Sequence, residues 1–393
     1  MKRIYLDHSA TTPLDARVLD AMLPYFNEFY GNSLAVHSFG REAERAVESS
    51  RQTVASLLNA APHEIVFTSG GTESDNLALR GLAQYAHTQN RPFTIVTTPV
   101  EHEAVIGTAR QLCSTMNAAL RLVPVDHFGQ VWPDDLRAAL RGLPAHGITL
   151  VSLIHTNNEV GTVNHIAALA AVAREYGALI HTDAVQGAGQ IALDVQALDV
   201  DMLSMSAHKL YGPKGMGVFY LRDGVPFLSS STGAKHEDYR RAGTHNVPGI
   251  VGTAQAVELA RAELTSNTER LAALRNRLVE GVLTHIPDVE LSGHPTERLS
   301  GHASFVFRHV ESNVLLMHLD QHGIAASSGS ACKTGNPKPS AILEALGYGS
   351  EWTRGGLRLT LGHSTTAGDV DVVLAVLLEA VERIRKIGVL SLS

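Results

Sequence analysis

The chain has 393 residues, 44% of them hydrophobic and 18% charged, a composition typical of a globular protein with room for two or three domains. Its 32 basic and 39 acidic side chains give a net charge of −7 without any basic run, which argues against nucleic acid as a partner. The absence of a long apolar stretch or a secretory signal, together with only two cysteines, predicts a cytoplasmic protein with no membrane span and no disulfide framework.

The first sixty residues predict an arm and two helices ahead of any sheet. Residues 6–13 are expected to be extended, residues 30–40 to form a loop, and residues 41–58 to form a helix whose apolar positions recur at helical spacing. An amphipathic helix is predicted between the arm and the loop. Its apolar positions are Val18, Leu19, Met22 and Leu23.

From residue 65 to residue 221, short β-branched runs alternate with segments of helical period. The runs are IVFT, FTIVTT, LRLVPV, ITLVSLI, ALIHT, VDMLSM and MGVFYL. This alternation predicts an α/β fold with a mostly parallel, seven-stranded sheet and helices on both faces. We assign residues 14–246 to this large domain.

The character changes after residue 246. A long helix to about residue 285 is followed by a strand in HASFVFRHV, a helix in ESNVLLMHLDQHG, a strand near LRLTL and a final amphipathic helix. We therefore predict a smaller α+β domain formed by residues 1–13 and 247–393.

Polar residues follow several predicted strands at the point where each strand ends. Open α/β sheets bind ligands at the carboxyl edge of their strands, so one cleft can collect these residues. They are Gly71, Thr72, His102, Asp183, Gln186 and Lys209.

This set of residue types suits pyridoxal phosphate. The aldehyde requires a lysine, the phosphate requires N–H groups and hydroxyls at a helix start, and the ring nitrogen requires a carboxylate. Lys209, the Gly71 and Thr72 turn, and Asp183 meet these needs, and His102 can stack on the ring. Lys214 is the alternative to Lys209, although its Gly/Pro turn suggests a role in the loop or at an anion.

Four further residues are candidates for binding the cofactor. Asn158 follows ITLVSLI and can bond the ring hydroxyl, with Asn157 or an ordinary Asx turn as alternatives, and Gln186 can serve the same oxygen. Ser206 and His208 can hold the phosphate through a hydroxyl and an imidazole.

The two cysteines lie in different surroundings. Cys113 is in phase with the apolar positions of its helix, which predicts a small buried packing residue. Cys332 lies in AASSGSACKTGNPKPSA, where no apolar period exists, and an exposed thiol is predicted there. An incidental surface cysteine is the alternative.

The chain resembles the cysteine desulfurase family, in its NifS/IscS branch of class-V aminotransferase-like enzymes. The matching pieces occur in the family's order and cover nearly the whole chain: YLDHSATTP, FTSGGTESDN, EHEAV, HTNNEVG, HTDAVQ, SAHKLYGPKG, RRAGT and SSGSAC. The resemblance implies a fold type I pyridoxal phosphate enzyme that converts L-cysteine to L-alanine. It further implies that Cys332, in a loop at 326–338, takes the sulfur as a persulfide, while Lys209 and His102 move protons.

The resemblance also assigns residues that the pattern alone leaves open. It favours Asn158 over Asn157. It also assigns Arg358, together with Asn158, to binding of the substrate carboxylate. Thr244 would reach the phosphate of the neighbouring subunit's cofactor, which implies a homodimer. The implied sulfur acceptor is an iron–sulfur scaffold protein or a tRNA-thiolation relay, and no metal site is predicted.

Two other functions are compatible with the sequence. One is a related enzyme, such as a selenocysteine lyase or an aminotransferase, and the other is a non-catalytic sulfur-carrying or regulatory paralogue. The chain also departs from the family pattern at Ser33, at His363, and over residues 232–237, where a glycine-rich run is usual.

Overall fold

A computed structural model describes residues 3–328 and 340–390, with side chains through residue 386. Cys332 and most of its predicted loop lie outside the described residues. The strands are β1 Ile4–Tyr5, β2 Ile65–Thr68, β3 Phe93–Thr97, β4 Ala119–Leu122, β5 Ile148–Ile154, β6 Leu179–Asp183, β7 Met202–Ser206, β8 Gly217–Leu221, β9 Val289–Leu291, β10 His302–Phe307, β11 Ile324–Ala325 and β12 Gly356–Thr360.

Helices connect and cover these strands. They are α1 Ala16–Met22, α2 Pro24–Asn27, α3 Ser38–Leu58, α4 Gly71–Thr88, α5 Glu103–Met116, α6 Pro133–Leu140, α7 Ile166–Glu175, α8 Val195–Leu198, α9 Val247–His285, α10 Ser312–Gln321, α11 Ala341–Ala345, α12 Ser350–Thr353 and α13 Ala367–Leu390. Short 3₁₀ turns occur at Pro62–Glu64, Ala207–Lys209 and His236–Tyr239. Among the described residues, no helix combines the length and apolar character needed to cross a membrane.

Seven strands form one sheet in the order β2-β8-β7-β6-β5-β3-β4. Within it, β8 runs antiparallel to both β2 and β7, and the other pairs are parallel. The predicted α/β class and mostly parallel seven-stranded sheet are thus confirmed. Because β2, β3, β5, β6 and β7 point the same way, their carboxyl ends meet at one edge.

Apolar side chains cover both faces of this sheet, which is why its central strands are continuous apolar runs. One core includes Val54 and Leu58 of α3 against Leu153 and Leu203 of the sheet. The other core packs α4 and α5 against the opposite face. Its members include Leu77, Leu82, Val105, Leu112, Ile95 and Leu150.

The C-terminal part forms a separate core around a three-stranded antiparallel sheet in the order β12-β10-β9. The arm strand β1 pairs in parallel with β11, which attaches the N-terminus to this part. The first half of α9 contributes Val247 and Ile250 to the large core, and the second half contributes Leu278 and Val282 to the small one. Helix α9 therefore joins both cores, and the domain division at residue 246 stays a prediction.

Several local expectations are corrected by the structure. Leu19 and Leu23, expected on the buried face of α1, are 42% and 52% exposed. Helix α3 begins at Ser38 rather than residue 41, because the His37 side chain accepts the Gly40 N–H and caps it. Cys113 packs against the second sheet core but is only half-buried.

The segment that departs from the family pattern folds around a buried ion pair. The side chain of Glu237 is 0% exposed, and its Oε2 accepts from Arg51 Nη1 at 2.7 Å and from the Phe67 N–H at 3.1 Å. Glu237, Asp238 and Tyr239 have φ values of 48°, 50° and 63°. Left-handed backbone costs roughly 1 kcal/mol or more per residue, so the buried carboxylate must hold this turn in place.

Glu237→Gln is expected to lower the free energy of unfolding at pH 7 by about 3–5 kcal/mol, because it removes the buried partner of Arg51 and leaves that charge only the exposed Glu48. Burial alone raises the pKa of the Glu237 carboxyl, but His245 and Arg51 outweigh burial and lower it to about 2. Since the folded pKa lies below the unfolded value, this stabilisation is complete above about pH 4.5 and disappears as the pH falls toward 2.

The difference between variant and wild type should therefore shrink below about pH 4.5, measured by urea unfolding followed by circular dichroism. Glu48→Gln is the matched control, because Glu48 pairs with the same arginine but is 57% exposed. Equal losses of stability in the two variants would contradict a dominant role for the buried pair.

Candidate active site

One cavity of about 350 Å³ opens at the edge where the parallel strands end. It collects nine of the ten residues predicted for the cofactor, together with the predicted carboxylate-binding arginine. These lining residues are Gly71, Thr72, His102, Asn158, Asp183, Gln186, Ser206, His208, Lys209 and Arg358. The cavity thus joins side chains from the ends of five strands of the large sheet with one from β12.

Lys209 occupies the 3₁₀ turn that directly follows β7. Its Nζ donates to the Ala10 carbonyl at 2.8 Å and also to the Ser9 carbonyl. Burial, and then the positive charge of Arg358, lower the pKa of Lys209 to about 8, although Asp183 and Asp7 oppose the shift. A considerable fraction of this amine is therefore neutral near physiological pH, as a base or nucleophile requires.

Asp183 is the last residue of β6 and is 4% exposed. Its Oδ1 accepts the Val185 N–H at 2.9 Å, which fixes the carboxyl group at the floor of the cavity. Burial raises the pKa of Asp183, while the Val185 N–H and Lys209 oppose that rise. A buried carboxylate with a raised pKa is a strong acceptor for the N–H of a protonated ring nitrogen.

His102 lies at the start of α5 and lines the same cavity as Asp183. Its Nδ1 accepts the Ala104 N–H at 3.1 Å and caps the helix. Because Nδ1 is an acceptor, the ring proton resides on Nε2. The imidazole is thus held by its helix with one N–H left to donate.

Three buried acceptors in the cavity wall have no hydrogen-bond donor among the described residues: Asp75 Oδ1, Asn158 Oδ1 and Gln186 Oε1. The amide nitrogen of Gln186 is already used, since it donates to the Ser9 carbonyl at 2.9 Å. An unpaired buried acceptor costs about 1–3 kcal/mol, so this wall suits a ligand that carries hydroxyl or N–H donors.

The structure also separates the two candidate asparagines. Asn157 Oδ1 accepts the N–H groups of Glu159 and Val160 at 2.9 and 3.0 Å, so Asn157 forms the Asx turn. Asn158 is then presented to the cavity, as the resemblance implied.

The glycine turn before α4 provides backbone donors at the other end of the cavity. A Cβ at Gly71 would lie 2.5 Å from Val185 Cγ2, so only glycine fits. Ser206 and His208 line the same region. Burial, followed by Lys209 and Lys214, lowers the pKa of His208 to about 4, so its ring is neutral and can donate one N–H. The N-terminus of this 18-residue helix, together with these donors, suits a phosphate.

Arg358 projects from β12 into the cavity and is 6% exposed. Its Nη1 donates to the Asn158 carbonyl at 2.8 Å, and its Nη2 bonds Asp7 Oδ1 at 2.8 Å. These contacts fix the guanidinium fork, whose remaining N–H groups suit a substrate carboxylate.

Several residues at the site were not predicted. Asp7, Ser9 and Ala10 belong to the N-terminal arm, and Asp75 lines the cavity from α4. The arm carries the motif YLDHSATTP, but it follows no strand of the large sheet, so the rule of strand ends could not find it. Motif membership was the one available signal.

Other predicted residues lie elsewhere. Thr244 is exposed and does not line this chain's cavity, and Lys214 donates instead to the Thr12 carbonyl at 3.3 Å. His363 stacks on Tyr211, with ring centroids 3.6 Å apart, outside the cavity. Cys332 lies outside the described residues.

These residues fit pyridoxal phosphate. A buried amine, a buried carboxylate and an N–H-rich helix start match its aldehyde, ring nitrogen and phosphate. Two of the unpaired acceptors, Asn158 Oδ1 and Gln186 Oε1, match a ring hydroxyl, which is a donor. The fit therefore depends on groups that the protein leaves unsatisfied by itself.

Comparisons with known proteins agree with this geometry. Residues 4–373 match the family model "Aminotransferase class-V". The chain is 42% identical over 390 residues to "Cysteine desulfurase IscS" of Methanosarcina thermophila, covering 99% of this chain and 95% of the relative. It is 43% identical over 388 residues to "Cysteine desulfurase 2" of Trichormus variabilis, with coverage of 99% and 95%.

Solved structures give the same picture. A "NifS-like protein" superposes with a TM-score of 0.89 at 35% identity, covering 97% of this chain and 100% of that one. The structure titled "SspA in complex with cysteine" superposes with a TM-score of 0.80 at 30% identity, covering 92% and 99%.

Arg358→Leu is expected to raise the pKa of Lys209 by roughly 0.5–1 pH unit, because a nearby positive charge that disfavours protonation is removed. The cofactor-free protein can be acetylated with limiting acetic anhydride between pH 6 and 10, and Lys209 followed by peptide mass. The wild-type midpoint should lie near the pKa of about 8.

Lys386, whose side chain is 71% exposed, provides an internal reference for reagent reactivity. Arg354→Leu is the matched control variant, because Arg354 is 57% exposed and does not line the cavity. A Lys209 midpoint that stays the same in the Arg358 variant would show that the Arg358 charge does not lower its pKa.

Proposed function

The chain belongs to the class-V aminotransferase family and is a cysteine desulfurase, and from this premise we propose that Lys209, Asp183 and Cys332 carry its reaction with pyridoxal phosphate. Enzymes of this family depend in general on that cofactor. The observation that carries the proposal is the single cavity that holds the buried amine, the buried carboxylate and the arginine fork.

The cavity residues divide the work of binding. Gly71, Thr72, Ser206 and His208 would hold the phosphate, Asn158 and Gln186 the ring hydroxyl, and Asp183 the ring nitrogen. His102 would stack on one face of the cofactor ring. When bound, the cofactor supplies an aldehyde that joins the substrate amine and a ring that accepts electrons from the substrate α-carbon.

Two side chains then act on L-cysteine directly. Arg358 would bind its carboxylate and so orient the α-carbon toward Lys209. With a pKa of about 8, Lys209 Nζ can accept the α-proton and later return a proton to the product. His102, which lines the same cavity, would relay protons.

Cys332 would take the sulfur. Its thiolate attacks the sulfur of the substrate, an S–S bond forms as the C–S bond breaks, and the electron pair released to carbon is protonated to give alanine. The sum is L-cysteine plus enzyme thiol giving L-alanine plus enzyme persulfide. Nothing is oxidised or reduced outside the two reactants.

Chain connectivity supports this role. Ser327, five residues before Cys332, forms an antiparallel bridge with Arg358, which lines the cavity. Five residues span at most roughly 18 Å when fully extended. Chain length therefore permits a thiol at position 332 to reach the substrate arginine.

A homodimer in which Thr244 serves the neighbouring cofactor is also part of the proposal. Four apolar side chains near the N-terminus, Leu23, Phe26, Tyr30 and Val36, are 52%, 60%, 63% and 89% exposed. His245, the residue after Thr244, contacts the same N-terminal segment, since its Nδ1 lies 2.8 Å from Ser33 Oγ. A second copy of the chain is the occupant that would cover the patch and use the exposed threonine.

The sulfur acceptor is proposed at the level of chemistry. A persulfide on the enzyme can pass its outer sulfur to a thiolate of another protein, so an iron–sulfur scaffold or a tRNA-thiolation relay fits the product. A cytoplasmic location, where thiols stay reduced, is the compartment that suits such transfer.

Holoenzyme incubated with L-cysteine in a single turnover should yield equal amounts of alanine and of one extra sulfur on the peptide that contains residue 332, measured by mass. Cys332→Ser should abolish sulfide release and retain the cofactor absorbance. An aminotransferase would keep its rate in this variant, and a non-catalytic paralogue would form no alanine at all. Cys113→Ser is the matched control and should behave as wild type.

Sharing of sites across the dimer predicts complementation between two weak variants. Lys209→Ala removes the amine, and Thr244→Ala is expected to raise the cofactor dissociation constant about 10-fold by loss of a phosphate hydrogen bond. A mixed dimer should regain one intact site, because the Lys209→Ala subunit still donates its Thr244 to its neighbour. If mixing restores no activity, Thr244 serves its own chain or no cofactor.

A further inference from the structure

Glu159 is a carboxylate next to the cavity for which the reaction above gives no role. It follows Asn158 in the loop after β5, and it does not line the cavity itself. Its Oε2 accepts a hydrogen bond from the Ser340 hydroxyl at 2.8 Å. Ser340 is the first described residue after the segment that contains Cys332, and it is 3% exposed.

Ser340 makes a second bond with the same oxygen. Its Oγ accepts the Leu343 N–H at 3.2 Å and so caps α11. The hydroxyl therefore donates to Glu159 while it accepts from the helix. This arrangement ties the start of α11 to the loop that presents Asn158 to the cavity.

Apolar contacts reinforce the same connection. Ile342 and Leu343 of α11 belong to a small buried cluster with Val100 and Val160. Val100 lies two residues before His102, and Val160 directly follows Glu159. Helix α11 thus rests on the two loops that carry predicted cofactor residues.

On the N-terminal side of the Cys332 segment, Ser327 is bonded to Arg358, which lines the same cavity. The Arg358 N–H donates to the Ser327 carbonyl at 2.6 Å, and the Ser327 N–H donates to the Arg358 carbonyl at 3.2 Å. The side chain of Arg358 in turn bonds the Asn158 carbonyl at 2.8 Å. Both flanks of the segment therefore attach to one small group, formed by Asn158, Glu159 and Arg358.

We propose that Glu159 is a positioning residue for sulfur transfer, which anchors Ser340 and thereby fixes one end of the Cys332 segment against the substrate-binding loop. This inference rests on the proposed function, because it concerns the delivery of the Cys332 thiol to the substrate. Glu159 touches neither the substrate nor the cofactor in this scheme.

The surroundings of Glu159 favour an anchor over a proton carrier. Burial raises the pKa of Glu159, whereas the Ser340 hydroxyl bond and the charge of Arg358 lower it. Either protonation state leaves an oxygen that accepts from Ser340. Gln at this position preserves such an oxygen, and Ala does not.

The expected effect lies in one step of the reaction. A displacement of about 1 Å between reacting atoms can cost roughly 100-fold in rate, so loss of the anchor should slow sulfur transfer by about 10- to 100-fold. Cofactor affinity and the absorbance change on adding L-cysteine should stay within about two-fold of wild type, because the residues that bind them are unchanged.

The test compares Glu159→Ala with Glu159→Gln in the holoenzyme. The rate at which the peptide containing residue 332 gains sulfur is followed by mass in a single turnover with L-cysteine. Glu159→Ala should show the loss, and Glu159→Gln should recover most of the wild-type rate. Glu344→Ala is the matched control, because Glu344 is an exposed carboxylate on α11 itself.

Two changes at Ser340 separate the anchor from the helix cap. Ser340→Thr keeps both the donor and the acceptor, whereas Ser340→Asp caps the helix but repels Glu159. The first should behave as wild type and the second as Glu159→Ala. Hydrogen exchange of the cofactor-free protein is a readout apart from activity, and residues 340–346 should exchange faster in Glu159→Ala.

The outcomes are distinct. Wild-type sulfur transfer in Glu159→Ala overturns the inference, and so does a cofactor affinity that falls in parallel with the transfer rate. Absence of a persulfide on Cys332 in the wild-type holoenzyme overturns the proposed function instead. Slow transfer with normal cofactor and substrate binding, rescued by Gln, supports the anchor.

Discussion

The direction of the strands in the large sheet is the constraint on which the rest of the site depends. Five strands that point the same way end at one edge, and each end delivers between one and three polar residues to a shared space. Lys209, Asp183 and His102 are separated by many residues in the chain, yet the sheet brings them to one cavity. Reversal of a single strand would remove its loop from that edge.

The protein treats its buried polar groups in two contrasting ways. At Glu237 the buried carboxylate accepts from the Arg51 guanidinium and from the Phe67 N–H, and it stabilises a turn of left-handed residues. In the cavity wall, Asn158 and Gln186 keep buried oxygens without donors, and Lys209 loses basicity through burial. Unsatisfied groups of this kind reduce stability, and those that line the cavity are in a position where a ligand can complete them.

Much of the fold was accessible from the sequence, because periods of two and of 3.6 residues are local properties. The seven runs became the seven strands, and residues at strand ends gathered as expected. The N-terminal arm was different: Asp7 and Ser9 reach the site through pairing with β11 and β12, which no local pattern reveals. The bond between Glu159 and Ser340 is likewise a product of tertiary packing, since 181 residues separate them.

Helical periodicity was least reliable in predicting which apolar side chains are buried. Leu19 and Leu23 follow the helical period of α1 but face outward, because a short helix lying on α9 can bury only a narrow strip of its surface.

Helix α9 has mechanical importance as well. Its 39 residues make a rod of about 58 Å, and its two halves are embedded in different cores. Any large rotation of the C-terminal part would have to bend this helix and break several of its backbone hydrogen bonds, at a cost of several kcal/mol. Access to the cleft is therefore expected to involve short segments at its rim while the two halves of the molecule keep their relative orientation.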